Sequence, residues 1–190
     1  MPEPMAITLP RDVGMMRGLP AGTAVSLSGP VFTARDATHA RLVAELEREG
    51  VLPHGLAGQV LFYAGPTPAR AGGRPVGAVG PTTSRRMDAW TPRLLSAGIA
   101  ATLGKGPRGD DVRRACAEHG AVYLTAVGGA AALLGQRVVS AEIVAYPELG
   151  TEALRRLELL DFPAWIAIDA QGRDLFAEAR RAWSSGGALR

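Results

Sequence analysis

Asparagine is absent from this 190-residue chain, lysine occurs once and cysteine occurs once. The single cysteine, Cys116, excludes a disulfide framework and excludes a cluster site built by this chain alone. It lies in a run of helical pattern, residues 110–119, and reads as a small buried hydrophobe. His39, His54 and His119 lack the spacing of metal ligands, so no metal site is expected. No apolar run approaches the roughly 20 residues that span a bilayer. The opening MPEPMAITLPRD lacks the basic and apolar regions of a secretion signal, so a cytoplasmic protein without a membrane partner is expected. The net charge of +3 is scattered rather than clustered with aromatics, which argues against nucleic acid as a partner.

What is present points elsewhere. Of the 21 basic residues all but Lys105 are arginine. A position that stays lysine against such a bias reads as one that needs a compact, mobile ammonium rather than a planar fork. The stretch GPTTSRRMD, residues 80–88, suits neither a strand nor a helix interior. Gly80 lets the backbone pass close to a neighbour, Pro81 stiffens the entry, and three hydroxyls precede Arg85 and Arg86. An apolar run, residues 76–79, leads in as a strand, and a helical run, residues 90–97, leads out. A polar loop between a strand end and a helix start is where α/β proteins bind anions, and arginine matches both oxygens of a carboxylate. The plainer reading of the same residues is a solvated turn with a helix cap.

Along the chain, residues 24–27 and 31–33 read as short strands, and Asp36 caps a helix that Gly50 stops. Arg35 and His39 stand at its start: Arg35 aimed at an anion or merely on the surface, His39 satisfying a nearby carbonyl. Residues 59–63 are a buried strand, and 69–75 a Gly-rich connector. Asp88 or Thr91 caps the next helix, with Pro92 in its first turn. Residues 99–103 form a strand that runs into Gly104-Lys105-Gly106, where two glycines leave the ammonium free. A helix from Asp110 to His119 and a strand over 121–125 follow. Gly128 and Gly129 open a helix over 128–134, whose first amides either hold a carboxylate or serve close packing. Then come a strand over 138–146, a short amphipathic helix over 152–159, a strand over 164–169 and a last helix over 174–183. The alternation over the last two thirds predicts an α/β fold. Arg35, Thr82, Arg86 and Lys105, with Gly128 and Gly129, all fall at strand ends or helix starts. Three cations and a hydroxyl suit a small dianion, and Arg35 and Arg86 suit the two ends of a dicarboxylate. No His/Asp pair or metal site offers to activate water, so the chain reads as half of an active site.

Residues 80–88 also carry a resemblance. GPTTSRRMD is similar to the signature of the β-type domain of iron–sulfur hydro-lyases, the class I fumarate hydratase and L(+)-tartrate dehydratase group. TARDATHARL (33–42), YAGPTPA (63–69), GKG (104–106), AVGGAAAL (126–133) and DFPAWIAIDAQG (161–172) stand in the family's order. The resemblance implies one β-type domain over 1–190, with a core of about 6–180, a frayed tail at 184–190 and a swivelling β/β/α fold. It implies a [4Fe–4S] cluster bound by an α-type partner subunit rather than by this chain, in an α2β2 assembly. It implies reversible hydration of fumarate to malate, with L(+)-tartrate dehydration or a non-catalytic carboxylate-binding module as alternatives. Arg35, Thr82, Arg86 and Lys105 are then the substrate contacts, with Thr82 taking a proton and Lys105 steadying its alkoxide or binding a carboxylate. Arg85 departs from the family's pattern, which carries a small residue there.

Overall fold

Short, nearly continuous apolar runs become strands buried on both faces. Val60–Phe62 (β3), Ala101–Gly104 (β4) and Val122–Thr125 (β5) are buried almost throughout, as parallel strands covered on both sides must be. They continue a parallel ladder from Met5–Thr8 (β1) and Ala24–Thr33 (β2). The 15-residue strand Leu154–Ile168 (β7) runs antiparallel to β2 and β5, and Val138–Ala145 (β6) pairs antiparallel with β7 in turn. β7 pairs with β2 along most of its length and with β5 at its end, so β2, β3, β4, β5 and β7 close on themselves within a seven-stranded sheet. The computed structural model describes residues 3–69 and 73–184.

Parallel neighbours require crossover connections, and helices supply them. Asp36–Glu49 (α1) joins β2 to β3, Thr91–Ser96 (α2) lies between β3 and β4, and Asp110–His119 (α3) joins β4 to β5. Gly50 and Gly120 end α1 and α3 in the left-handed conformation, at φ 74° and 63°. Strand alternation divides the core. Val31, Val60, Phe62, Leu103, Leu124, Phe162 and Ile166 fill the inside of the closed sheet. Phe32, Leu61, Tyr63 and Tyr123 face outward, where Leu42, Leu94, Val112 and Cys116 cover them. Cys116 is thus a core residue, and burial pushes its thiol up to about 12.

Several expected elements differ, and the two short strands expected over 24–27 and 31–33 are one continuous strand, β2. Residues 152–159, expected as an amphipathic helix, lie in a 3-10 turn ending at Glu152 and in β7. Leucine and arginine favour helices, but Leu157 pairs with Val31 of β2 on one side and Ala141 of β6 on the other, and ladder pairing overrides propensity. Residues 76–79 form no strand. Val76 and Val79 are buried, yet the backbone bonds to loops: Gly77 N to Thr67 O at 3.0 Å and Val79 N to Ala131 O at 3.1 Å. The expected helix over 128–134 contracts to Ala131–Leu134 (α4), because Gly129 at φ 81° breaks it. The last helix is Leu175–Ser184 (α5); Asp174 caps it through the amides of Phe176 and Ala177. The remainder of the expected frayed tail, 185–190, lies outside the described residues. Among the described residues no helix is long and apolar enough to cross a membrane.

Candidate active site

The carboxyl ends of the parallel strands gather the expected residues. Arg35 follows β2 at the N-cap position of α1, and Lys105 follows the last residue of β4. The stretch 80–88 is threaded between them. Thr82 N donates to Tyr63 O (2.7 Å), Lys105 N to Thr82 O (3.2 Å), and Ser84 N to Lys105 O (3.0 Å). The backbone therefore sets Thr82 beside Lys105 before any side chain is considered. Gly128 closes the other flank: a Cβ built on it would lie 3.2 Å from Lys105 Cδ and 3.4 Å from Nζ. Gly80 makes a similar close approach to Ala131. Gly128 and Gly129 thus belong to a loop against the lysine stem, and the four-residue α4 beyond them offers no helix terminus for an anion.

The arginines meet on one carboxylate. Arg86 places Nε 3.0 Å and Nη2 2.8 Å from the two oxygens of Asp36, a bidentate fork. Arg35 Nη2 lies 4.0 Å from Asp36 and 3.4 Å from Glu152. Glu152 is itself pinned, accepting the Ala37 amide at 2.8 Å. Arg86 is half-exposed, and pairs of that kind contribute little stability, ~0–1 kcal/mol; the fork fixes direction rather than holding the fold. Asp36, expected only as a helix cap, supplies that anchor from the first turn of α1. By contrast, no hydrogen bond or ion pair from another described residue engages the Lys105 ammonium or the Thr82 hydroxyl.

Beneath these loops lies a group that sequence reading missed. Arg108 is fully buried, with Nε 2.6 Å from Asp88 Oδ1 and Nη2 2.7 Å from Thr91 Oγ1. Asp88, expected as a helix cap, is instead the counterion of Arg108 and the acceptor of Gly109 N at 2.6 Å. Thr91 makes no side-chain cap: its hydroxyl accepts from Arg108, lies 3.0 Å from the Tyr63 hydroxyl and donates to Met87 O at 2.8 Å. Nothing marks Arg108 in the sequence: an arginine in a Gly/Pro-rich turn reads as solvated.

His39 takes the plain role expected of it. Its Nδ1 lies 2.8 Å from the Arg35 carbonyl, which can only accept, so Nδ1 carries the proton. The ring is wholly buried against Tyr63 and Trp90, and burial pushes it down to about 4 despite that carbonyl. The unfolded chain binds this proton below about pH 6.5 and the folded one only near 4, so stability falls as pH drops through that window. Urea titrations at pH 7, 5.5 and 4.5 should show a declining midpoint, and His39→Phe should flatten the decline. An identical decline in the variant would assign it to the carboxylates.

Comparison with known proteins places the chain in a family. The family profile described as "Fumarase C-terminus" matches residues 5–179. Fumarate hydratase class I, anaerobic, of Escherichia coli (strain K12) is 42% identical over 161 residues, 84% of this chain and 29% of that protein. The putative fumarate hydratase class I of Geobacillus stearothermophilus is 34% identical over 185 residues, 94% of this chain and 35% of that protein. The putative L(+)-tartrate dehydratase subunit beta of Methanocaldococcus jannaschii is 33% identical over 171 residues, 87% of this chain and 88% of that protein. The chain therefore spans about a third or less of the fumarate hydratases it matches, and most of the tartrate dehydratase subunit.

Proposed function

Since the chain belongs to the fumarase C-terminus family, we propose that it is the β-type half of a two-part iron–sulfur hydro-lyase, acting on a small dicarboxylate in the cytoplasm. Fumarate is the first substrate to test, with water added across its double bond to give malate. The observation that carries this reading is the meeting of Arg35 and Arg86 at Asp36, next to the paired backbones of Thr82 and Lys105. The M. jannaschii relative, matched over 88% of its length, favours L(+)-tartrate as the second reading. The closed sheet, with helices outside it, supports a single β-type unit of the swivelling β/β/α kind.

Each residue of this chain then has its task. Asp36 holds Arg86 by Nε and Nη2, which leaves the rest of the guanidinium's five donors for a substrate carboxylate. Arg35 faces the other carboxylate. The Thr82 hydroxyl moves the proton at the carbon next to the one bearing the hydroxyl group. Lys105, beside it and without an ion-pair partner among the described residues, steadies the charge that develops there.

The [4Fe–4S] cluster of such enzymes supplies a Lewis-acid iron, and this chain's residues do not fit it. Its single cysteine is buried in the core, and among the described residues no group of three or more His, Cys, Asp or Glu could hold a metal ion. The cluster belongs to an α-type partner, in an assembly expected to be α2β2. Co-expression with an α-type subunit, followed by assays on fumarate and L(+)-tartrate, tests the reading. Turnover only in the assembled protein supports it. Turnover by the isolated chain overturns the half-site, and carboxylate binding without turnover in the assembly leaves a binding module.

Arg86→Lys keeps the charge but loses the fork. The expected result is KM raised about tenfold, the lower end of the 1.5–3 kcal/mol that a charged hydrogen bond contributes. The melting temperature should be unmoved, since the Asp36 pair is half-exposed. An unchanged KM would remove Arg86 from the substrate contacts.

A further inference from the structure

We propose that Arg108 is a positioning residue that holds the Thr82 and Lys105 loops in register from below. The proposal rests on the hydro-lyase reading for its kinetic consequence only. The guanidinium is enclosed, with its carbon 5.2 Å from the Tyr63 ring centre and 4.8 Å from that of Tyr123. It reaches the first loop through Asp88, at 2.6 Å, and the start of α2 behind that loop through Thr91, at 2.7 Å. Asp88 returns the connection to the second loop by accepting Gly109 N. Tyr123, lying under the same guanidinium, brings its hydroxyl within 2.9 Å of Ser84 Oγ and 2.8 Å of Gly106 O. Ser84 lies two positions after Thr82, and Gly106 follows Lys105, so both loops are gripped close to the residues that face the substrate. Apolar packing would stabilise such a position as well as a buried ion pair does. A charged fork here supplies direction: it fixes Asp88 and both tyrosines at once, which no apolar side chain does.

The lone lysine makes this testable without substrate. In protein labelled with 13C-lysine, Lys105 contributes the single ε-methylene signal. Arg108→Lys and Asp88→Asn are expected to shift or broaden that signal in the folded protein. In the assembled enzyme they should lower kcat/KM about tenfold or more, as small misplacements of reacting groups do. If both variants fold with the wild-type Lys105 signal and lose only melting temperature, Arg108 is structural and the proposal fails. If Arg108→Lys does not fold, Asp88→Asn decides by the same two readouts. Absence of turnover on either substrate by the wild-type assembly would overturn the hydro-lyase reading, while the Lys105 signal would still decide the placement.

Discussion

Lys105→Arg is expected to lower turnover of the assembled enzyme about a hundredfold, the effect of displacing a reacting group by about 1 Å. The lysine backbone is fixed on both sides, its amide on Thr82 and its carbonyl under Ser84. Its stem runs along Gly128, where even a methyl group would crowd Cδ and Nζ. A guanidinium is wider and flatter than an ammonium, so it cannot take the same place against that backbone. Folding should be nearly unaffected, within ~0.5 kcal/mol, because the side chain is partly exposed and pairs with no described residue. This chain carries arginine at every other basic position, so a neutral lysine would tolerate the exchange. Wild-type turnover in the variant would make Lys105 an accident of composition.

Gly104→Ala should lower stability by about 3 kcal/mol, the upper part of the usual cost of overpacking. For a chain of this size that is a fall of roughly 6–12 °C in melting temperature. A Cβ at Gly104 would overlap the Ser84 hydroxyl and stand 3.0 Å from a Tyr63 ring carbon. Ser84 has nowhere to retreat, being wholly buried and 2.9 Å from the Tyr123 hydroxyl. The loop that carries Thr82 and Arg86 would therefore have to lift, and activity should fall with stability. Gly106→Ala is the control. Its φ of 81° is left-handed but the space around it is open, so backbone strain alone acts, about 1–2 kcal/mol. A Gly104→Ala melting temperature equal to wild type would show that the loop yields and that this glycine is not a contact.

The sequence by itself determined the α/β alternation, the helices stopped by Gly50 and Gly120, the burial of Cys116 and the marked character of residues 80–88 and Lys105. These are local matters: periodicity, caps and residue chemistry act within a few positions of each other. Pairing and counterions were decided only by the tertiary structure. Residues 154–159 have the leucine spacing of a helix, and only partners on both sides, in β2 and β6, make them a strand. Asp36 and Asp88 look alike as helix caps, yet one orients Arg86 and the other neutralises the buried Arg108. Glu152 finds Arg35 across 117 positions of chain because the turn before β7 abuts the start of α1. A carboxylate's partner is whichever cation the fold brings within reach, and burial multiplies the cost of lacking one. That choice is made by strand order and loop path, which no window of sequence contains.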